Sequence, residues 1–344
     1  MVPALDSCAM EPAANLTALV PPDTWWPLLP SRQLKRKPIA LERLGAQMVV
    51  WRNGRGEAQA HERFCPHRRA DLGQGSVHGL NLVCKFHGFA FDGTGQCQLM
   101  PCEGSGAKIP PGMAIRRFPC VEAHGFLWLW SGSPETMPDA VPYLPALAGI
   151  PPLASADTEM LWEMPLERSV EQLMDMHHTP FTHPLLWLSL SSKRNTRMVY
   201  EDLQLEGEHW RGTARFEPDG GGGKPFRLPH QLLFPNQTLL DFGYGVSLYA
   251  TLVPINRERS IGWVRYLVKA PFSRALSAIS NWLEARFVQP DDLAVLLANR
   301  PARGGLQHQC LVKADSFIAH WHRRWGHLVP GAYDDTNPQP KAGA

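Results

Sequence analysis

The sequence predicts two domains, a small all-β domain followed by a larger domain that mixes strands and helices. The chain has 344 residues, of which 44% are hydrophobic, and this is enough for two separate cores. From Trp25 to about Ser133, short runs of alternating hydrophobic and polar residues are separated by Gly, Pro and Asp turns, which is typical of strands. A proline-rich passage over residues 134–152 follows and predicts an extended linker.

The second half of the chain contains helical and strand patterns in turn. The segment RSVEQLMDMHH, residues 168–178, has an imperfect stripe of apolar residues and predicts a helix. Two further helices are predicted at about residues 274–288 and 290–300, with Pro290 in the first turn of the second. Strands are predicted between these helices in HWRGTARFEP, HQLLFPNQTLLDF, VSLYATLVPI and SIGWVRYLVKA, and the four glycines at 220–223 predict a hairpin tip.

Composition disfavours several kinds of partner. Charge is nearly balanced, with 34 Lys and Arg against 32 Asp and Glu, and no basic run marks a nucleic-acid surface. No stretch approaches 18 uninterrupted apolar residues, the N-terminus lacks the pattern of a signal peptide, and the seven cysteines are not spaced as in a secreted disulfide scaffold. We therefore expect a cytoplasmic protein with no nucleic-acid partner and no membrane span. Residues 1–23 and 331–344 are expected to be disordered.

Two short pairs of cysteine and histidine form the first metal-binding pattern. Cys65-Pro66-His67 and Cys84-Lys85-Phe86-His87 each offer one thiolate and one imidazole. A Rieske [2Fe–2S] cluster uses two cysteines on one iron and two histidines on the other. A Cys₂His₂ zinc site tolerates many spacings but does not call for a Cys-x-His pair, so zinc is the less favoured interpretation.

A second pattern surrounds residue 178. Asp175 and His178 are three residues apart and would share one face of a helix. His183 would lie about 140° around an ideal helix from His178, but Pro180 between them is expected to distort the helix and let both imidazoles reach one metal ion. Two histidines and a carboxylate hold a mononuclear Fe(II) with open positions for O₂ and substrate.

The carboxylate must come from elsewhere in the chain. Asp291 and Asp292 are the best candidates, although acidic residues are favoured in the first turn of any helix by the helix dipole. Their position alone does not choose between them. His177 points about 100° away from His178 and is expected to be a packing or surface residue.

Both patterns resemble one family. The segment CPHRRADLGQGSVHGLNLVCKFHGFAFDGTGQC resembles the cluster-binding sequence of the Rieske non-haem iron oxygenases, and E-x-x-x-D-x-x-H-x-x-x-x-H over residues 171–183 resembles their iron-binding helix. The resemblance is to the branch that holds 3-ketosteroid 9α-hydroxylases, cholesterol 7-desaturases, chlorophyllide a oxygenase and pheophorbide a oxygenase. Arg69 stands where the family commonly has Gly, and Phe89 where Trp is usual; neither change removes a ligand.

The resemblance implies an α+β architecture with a Rieske [2Fe–2S] domain at about 24–135 and a catalytic domain at about 136–330. The second domain would have the helix-grip fold, START/Bet v 1-like, in which a curved antiparallel sheet wraps around a long helix. The resemblance also implies Asp292 as the third ligand of the mononuclear iron, because an aliphatic pair follows it at the family's spacing. The implied ligands are Cys65, His67, Cys84 and His87 for the cluster, and His178, His183 and Asp292 for the mononuclear iron.

The same resemblance implies a head-to-tail homotrimer in which Asp175 links the cluster of one subunit to the iron of the next. Electrons would come from NAD(P)H through a separate ferredoxin or flavin reductase, since the chain shows no dinucleotide or flavin fingerprint. O₂ and a largely apolar organic molecule would be the substrates, with hydroxylation favoured over demethylation or desaturation. Residues 185–188, LLWL, are candidates for the cavity entrance or for ordinary core.

Two other functions stay open from the sequence. The chain could be a Rieske electron-transfer protein whose second domain only binds a hydrophobic ligand, or a zinc-stabilised binding module. Metal content distinguishes them, because the oxygenase needs about three irons per chain, the electron carrier about two, and the zinc module would be colourless.

Overall fold

The computed structural model describes residues 16–104, 106–147, 157–183, 196–218, 225–269, 272–300, 306, 309–329 and 331–333. The chain forms two compact units and passes from one to the other between Pro142 and Tyr143, inside the proline-rich passage. Residues 1–15, the tail beyond 333, the glycines at 220–223 and the segment 185–188 lie outside the described residues, so the predictions for them stay predictions. Residues 16–23 are ordered, contrary to expectation, because Leu16 and Val20 are buried.

The first unit is all-β, as the sequence predicts. Its three antiparallel sheets have the strand orders β1-β11-β10, β2-β3-β4-β9 and β5-β6-β7-β8. The strands are β1 (Trp25–Pro30), β2 (Ile39–Arg43), β3 (Ala46–Arg52), β4 (Ala58–Glu62), β5 (Ser76–His78), β6 (Asn81–Val83), β7 (Ala90–Phe91), β8 (Cys97–Leu99), β9 (Arg117–Phe118), β10 (Cys120–Ala123) and β11 (Phe126–Trp130). The hairpin turn between β7 and β8 forms at Asp92, whose carboxylate accepts from the amides of Thr94 and Gln96.

The second unit contains a seven-stranded antiparallel sheet with the strand order β12-β18-β17-β16-β15-β14-β13. Six of its strands follow one another along the chain as neighbours, and β12 completes the sheet beside β18. The strands are β12 (Thr158–Trp162), β13 (Thr196–Glu206), β14 (His209–Pro218), β15 (Phe226–Leu233), β16 (Gln237–Gly243), β17 (Val246–Pro254) and β18 (Ser260–Val268). The four segments predicted as strands form β14 to β18, because HQLLFPNQTLLDF spans parts of two strands and the turn between them.

Two helices of this unit lie between β12 and β13 in the chain, and three follow β18. They are α1 (Leu166–Met174), α2 (Thr179–Thr182), α3 (Ser273–Leu283), α4 (Gln289–Ala298) and α5 (Ser316–Leu328). A single π turn, Glu284–Val288, joins α3 to α4, so the two predicted helices form one continuous run with Pro290 in the first turn of α4. The sequence analysis missed α5. No helix in the described part of the chain is both long and apolar enough to cross a membrane.

Candidate metal centres

Two matching loops of the first unit carry the first four candidate ligands. Cys65 and His67 lie in the loop after β4, and Cys84 and His87 lie between β6 and β7. In each loop the cysteine amide donates to the carbonyl five residues on, at 2.9 and 2.8 Å, and the amide four residues on donates back to the cysteine carbonyl, at 2.9 and 3.0 Å. The two turns therefore have the same backbone hydrogen bonds, with the histidine two residues after the cysteine in the first and three residues after it in the second.

The residue that closes each turn has a left-handed backbone. The φ angle is +56° at Arg69 and +73° at Gly88. Glycine adopts this conformation freely, whereas a residue with a Cβ does so at a cost. A Cβ at position 88 would also lie 3.1 Å from Cγ of Pro101. Arg69, where the family commonly has Gly, is thus a strained residue at the position that Gly88 holds in the other turn.

The cysteines of these loops lie inside and the histidines lie toward the surface. Cys65 and Cys84 are each 2% exposed, and the rings of His67 and His87 meet edge to face at 4.7 Å between centroids. Phe89, the residue that departs from the family's Trp, stacks on His67 at 4.6 Å. Burial raises the pKa of the Cys65 thiol to about 12, because a thiolate there lacks water. A bound iron would supply the positive charge that lets this thiolate form.

The spread of these four side chains bears on the choice between a cluster and a single zinc ion. Ligand atoms around one tetrahedral zinc lie about 3.3 to 3.8 Å apart. Among the described residues, the one group with three ligand atoms all within 4.8 Å of one another is in the second unit, so the cysteines and histidines are spread more widely. This spacing fits a two-iron cluster whose cysteines and histidines bind different irons.

The chain bends sharply where the second candidate centre begins. Helix α1 ends at Met174, so the prediction of a continuous helix to residue 178 is wrong. The carboxylate of Asp175 accepts hydrogen bonds from the amides of His177 and His178, at 2.8 and 3.2 Å, and these bonds replace those of a continuing helix. The expected distortion therefore starts at Asp175, before Pro180, which lies in the first turn of α2.

This bend brings both histidines to the start of α4. The ligand atoms of His178, His183 and Asp292 lie within 4.8 Å of one another. Oδ1 of Asp292 is 2.8 Å from Nε2 of His183 and 3.3 Å from Nε2 of His178. Asp291, the other candidate, has a half-exposed side chain and approaches Nδ1 of His183 only to 3.7 Å. The geometry thus joins Asp292 to the two histidines.

The hydrogen bonds of these imidazoles fit a metal ion. His183 is 4% exposed, yet neither ring nitrogen has a hydrogen bond of good geometry in the described residues. His178 can donate from Nδ1 to the carbonyl of Asp175, 2.5 Å away. In that tautomer Nε2 carries no proton, and its lone pair faces Asp292. A divalent cation bound between these two imidazoles and the Asp292 carboxylate would give His183 the partner that it lacks.

The charges around this point favour an ionised carboxylate. Burial opposes charge on each group, but Asp292 and Asp175 raise the pKa of His178, and His178 and His183 lower the pKa of Asp292. A divalent metal would take the place of the protons that the imidazoles otherwise share with Asp292.

A cavity of about 360 Å³ opens at these three residues. It lies between the helices and strands β12 and β15 to β18, and its walls are largely apolar. The apolar lining residues are Met160, Trp162, Leu173, Met176, Phe226, Leu228, Leu240, Phe242, Val246, Leu248, Val264 and Val288. Its size is in the range of small organic ligands.

The chain is similar to known proteins in sequence and in fold. The Rieske [2Fe–2S] domain family matches residues 24–120, a range that contains all four cysteine and histidine candidates. The chain therefore contains a Rieske [2Fe–2S] domain. It is 32% identical over 188 residues to the 4beta-methylsterol monooxygenase of Methylococcus capsulatus, and 30% identical over 167 residues to the oxygenase component of dicamba O-demethylase of Stenotrophomonas maltophilia. These matches cover 52% and 47% of this chain.

The chain spans about half the length of the curated relatives it matches, 50% and 47% for these two. A crystal structure of dicamba monooxygenase bound to dicamba has the same fold, with a TM-score of 0.71 at 18% identity over 89% of this chain and 97% of that one. The α+β architecture predicted from the motifs, a Rieske domain followed by a sheet-and-helix domain, is therefore confirmed, as is the presence of a Rieske [2Fe–2S] domain.

The sequence analysis missed one polar residue of the second candidate centre. Gln172, on the last turns of α1, donates from Nε2 to Oδ1 of Asp292 at 2.7 Å, and the same atom is 3.0 Å from Nε2 of His178. A glutamine in a helix gives no signal by itself, because its partner Asp292 is 120 residues away in the chain. Gln172 fixes the direction of the carboxylate.

Glu171 begins the family motif but does not line the cavity. It accepts hydrogen bonds from Arg168 and His322, both at 2.6 Å, and from Gln309 at 3.1 Å. Burial opposes its ionisation, but His322 and Arg168 hold the pKa of Glu171 below its ordinary value. This buried ion-pair network fastens α1 to α5.

Proposed function

We propose that this chain is the oxygenase component of a Rieske non-haem iron system that oxidises a largely apolar organic substrate with O₂. Hydroxylation is the favoured reaction, with demethylation and desaturation as the alternatives. The cluster would be held by Cys65, His67, Cys84 and His87, and a mononuclear Fe(II) by His178, His183 and Asp292.

The observation that carries the proposal is the convergence of two imidazoles, of which that of His183 is buried without a hydrogen bond of good geometry, and one buried carboxylate at an apolar cavity. An iron bound there supplies open coordination positions where O₂ is activated beside a bound substrate. The protein's own part is to keep Asp292 ionised, to orient His178 through its bond to the Asp175 carbonyl, and to keep water out with apolar walls.

Asp175 is proposed as the link between the two metal centres in a head-to-tail homotrimer. Its Oδ2 lies 3.8 Å from Nδ1 of His178, and its side chain is 33% exposed, so the carboxylate can also accept from a group of another molecule. The proposed donor is His87 of the partner subunit, through the ring N–H that does not face the cluster.

Electrons are proposed to come from NAD(P)H through a separate ferredoxin or flavin reductase, because the dicamba relative is named as the oxygenase component of its system. We propose a cytoplasmic location, and the free state of all six described cysteines supports a reducing compartment.

Metal analysis with matched variants tests the two-centre proposal. The purified chain is expected to contain about three irons, and to give the visible spectrum and reduced-state EPR signal of a Rieske cluster. His183→Ala should lose one iron and keep the EPR signal, while Cys84→Ser should lose the signal. His177→Ala is the control, because its ring contacts Phe181 and lies outside the ligand group.

Iron content near two in the unaltered chain, with no loss in His183→Ala, would support the electron carrier instead. A colourless protein with zinc would support the binding module. Product analysis with a reductase and candidate sterols, tetrapyrroles or aromatic metabolites then identifies the reaction.

A further inference from the structure

The cavity has one polar feature that the proposed iron ligands do not explain. Among the residues that line it, Glu284 and Tyr266 form a polar pair in an otherwise apolar wall. None of the lining residues is a lysine or an arginine. The basic side chains of the lining are His178 and His183, the proposed iron ligands, so no lysine or arginine is there to pair with the Glu284 carboxylate.

Glu284 is a buried carboxyl group with one oxygen left for a partner. It is 6% exposed, and the Tyr266 hydroxyl donates to its Oε2 at 2.9 Å. The structure gives Oε1 no hydrogen bond from any described residue. Burial, together with the nearby charge of Asp292, raises the pKa of Glu284 to about 7. A buried carboxyl group without a second partner is costly unless a ligand completes its hydrogen bonds.

The neighbours of the pair hold it in one orientation. Phe242 stacks on the Tyr266 ring with an angle of 15° between the planes. The Ser277 hydroxyl donates to the Tyr266 carbonyl, and Asn281 in turn donates to the Ser277 carbonyl at 2.8 Å. These bonds fasten α3 to β18 directly behind the pair. A polar group fixed in this way loses little entropy when it binds a ligand.

The backbone next to Glu284 is also unusual. Glu284 is the first residue of the π turn, and α4 with Asp292 follows it. Glu284, Val288 and Asp292 all line the cavity. Single π turns inside helices often occur at functional sites because they redirect side chains.

We propose that Glu284, oriented by Tyr266, determines substrate specificity by accepting a hydrogen bond from a hydroxyl group on a neutral and otherwise apolar substrate. This inference rests on the proposed function for the statement that the bound molecule is a substrate. The hydroxyl end would lie at Glu284 and the apolar body against the cavity walls. Anionic molecules such as carboxylates are disfavoured at the Glu284 end of the cavity, because its carboxyl group meets no lysine or arginine among the lining residues.

Equilibrium binding to the iron-loaded full-length protein tests the inference without turnover. The probes are 2-naphthol, naphthalene and 2-naphthoate, which share one skeleton and differ in the polar group. The unaltered protein is expected to bind 2-naphthol about tenfold more tightly than naphthalene, the effect of one hydrogen bond, and 2-naphthoate most weakly. Glu284→Met should bind 2-naphthol and naphthalene equally and 2-naphthoate more tightly than before.

Val288→Ala is the matched control, because it alters the same wall without a polar group. It should weaken all three probes by a similar factor and keep their order. If Glu284→Met does not fold, Glu284→Gln and Tyr266→Phe decide the question. Glu284→Gln should tighten 2-naphthoate binding, because it removes a carboxylate, and Tyr266→Phe should reduce the preference for 2-naphthol.

An unchanged ratio of 2-naphthol to naphthalene affinity in Glu284→Met, or in Tyr266→Phe if that is the variant that folds, overturns the inference; the hydroxyl would then be recognised elsewhere, for example by the iron. The result is separate from the proposed function. If the protein contains only two irons but Glu284→Met loses the preference for 2-naphthol, the role of Glu284 in binding stands and the oxygenase proposal fails. If the protein contains three irons but Glu284→Met leaves the preference unchanged, the oxygenase proposal stands and the role of Glu284 fails.

Discussion

Asp175 combines a local structural role with the proposed electron-transfer role, and the two depend on different properties of its carboxylate. Its Oδ1 accepts from the amides of His177 and His178 and so makes the bend that ends α1. An amide oxygen can accept the same two bonds. The proposed link to another subunit instead needs the negative charge and the second oxygen.

We therefore predict that Asp175→Asn keeps about three irons per chain but slows turnover at least about tenfold, the loss typical when a group that orients a metal ligand is replaced. Metal analysis and the rate of oxidation of the reduced cluster in a single turnover measure the two effects. Asp175→Ala is the contrasting variant, because it also removes the turn and should lose the mononuclear iron. Normal turnover in Asp175→Asn would reject the linking role.

Arg69 allows a direct measurement of backbone strain in a cluster loop. Its guanidinium lies 3.1 Å from Glu62 and over the ring of Phe64. Arg69→Gly and Arg69→Ala both remove these contacts, but only glycine relaxes the positive φ. We predict that Arg69→Gly is more stable than Arg69→Ala by about 1 kcal/mol. Urea unfolding, followed by tryptophan fluorescence, gives the difference, and equal stabilities would show that position 69 relaxes away from the left-handed region.

At the scale of the elements, strand β12 is attached to the sheet by one buried and one exposed ion pair. Asp157, just before the strand, contacts Arg265 at 2.6 Å, and their side chains are 4% and 2% exposed. Glu163, just after the strand, contacts Arg259 at 2.8 Å near the surface. The two pairs join the same strands, β12 and β18, in different surroundings.

Removing the buried pair should cost far more stability than removing the exposed one. We predict that Asp157→Ala lowers the free energy of unfolding of the second unit by about 3 to 5 kcal/mol, because it leaves a buried guanidinium without its carboxylate. Glu163→Ala should cost less than about 1 kcal/mol. Denaturant titration of both variants tests this, and similar losses would mean that water reaches Arg265.

The elements also show where a sequence pattern is informative. Strands β14, β17 and β18 lie within a residue or two of their predicted limits, because their apolar residues alternate clearly and turns flank them. Helix α5 was missed although Phe317, Trp321 and Trp325 are buried at spacings of four, because its histidines and arginines obscure the stripe. The end of α1 at Met174 could not be predicted from periodicity, since it depends on a side-chain bond of Asp175.

For the molecule as a whole, local spacing in the sequence predicted the four candidate cluster ligands and the two histidines of the second centre. The third ligand of the second centre, a carboxylate, depends on tertiary structure. Asp291 and Asp292 are equivalent in a first helical turn. The direction of α4 against α1 brings Asp292 to the histidines and leaves Asp291 largely outside. Glu284 carried no signal in the sequence, because its surroundings come from β18 and the π turn.

Acid stability is expected to depend on a buried histidine in each unit. Burial lowers the pKa of His61 to about 4 and that of His230 to about 3, from 6.5 in the unfolded chain. The stability that comes from keeping each ring neutral is complete above pH 6.5. It falls by about 1.4 kcal/mol per pH unit below that, until the folded-state pKa is reached, because only the unfolded chain takes up the proton.

We predict that His230→Gln, although destabilising at pH 7.5, loses this dependence. The difference in unfolding free energy between the unaltered protein and the variant should shrink by about 1.4 kcal/mol for each pH unit from 6.5 to 5. Comparing the two proteins cancels the acid sensitivity of the metal ligands. A difference that stays constant with pH would show that His230 is protonated in the folded state.

The contact between Gln172 and Asp292 joins positions 120 residues apart, with most of the large sheet in the loop between them. An ion shared by His178, His183 and Asp292 would cross-link the start of this unit to its last third, and closing so long a loop restricts the unfolded chain strongly. Iron supply and correct folding would then be coupled. In cells starved of iron, the chain should not persist as a folded protein that only lacks activity. It should be loosely folded, and proteases should remove it.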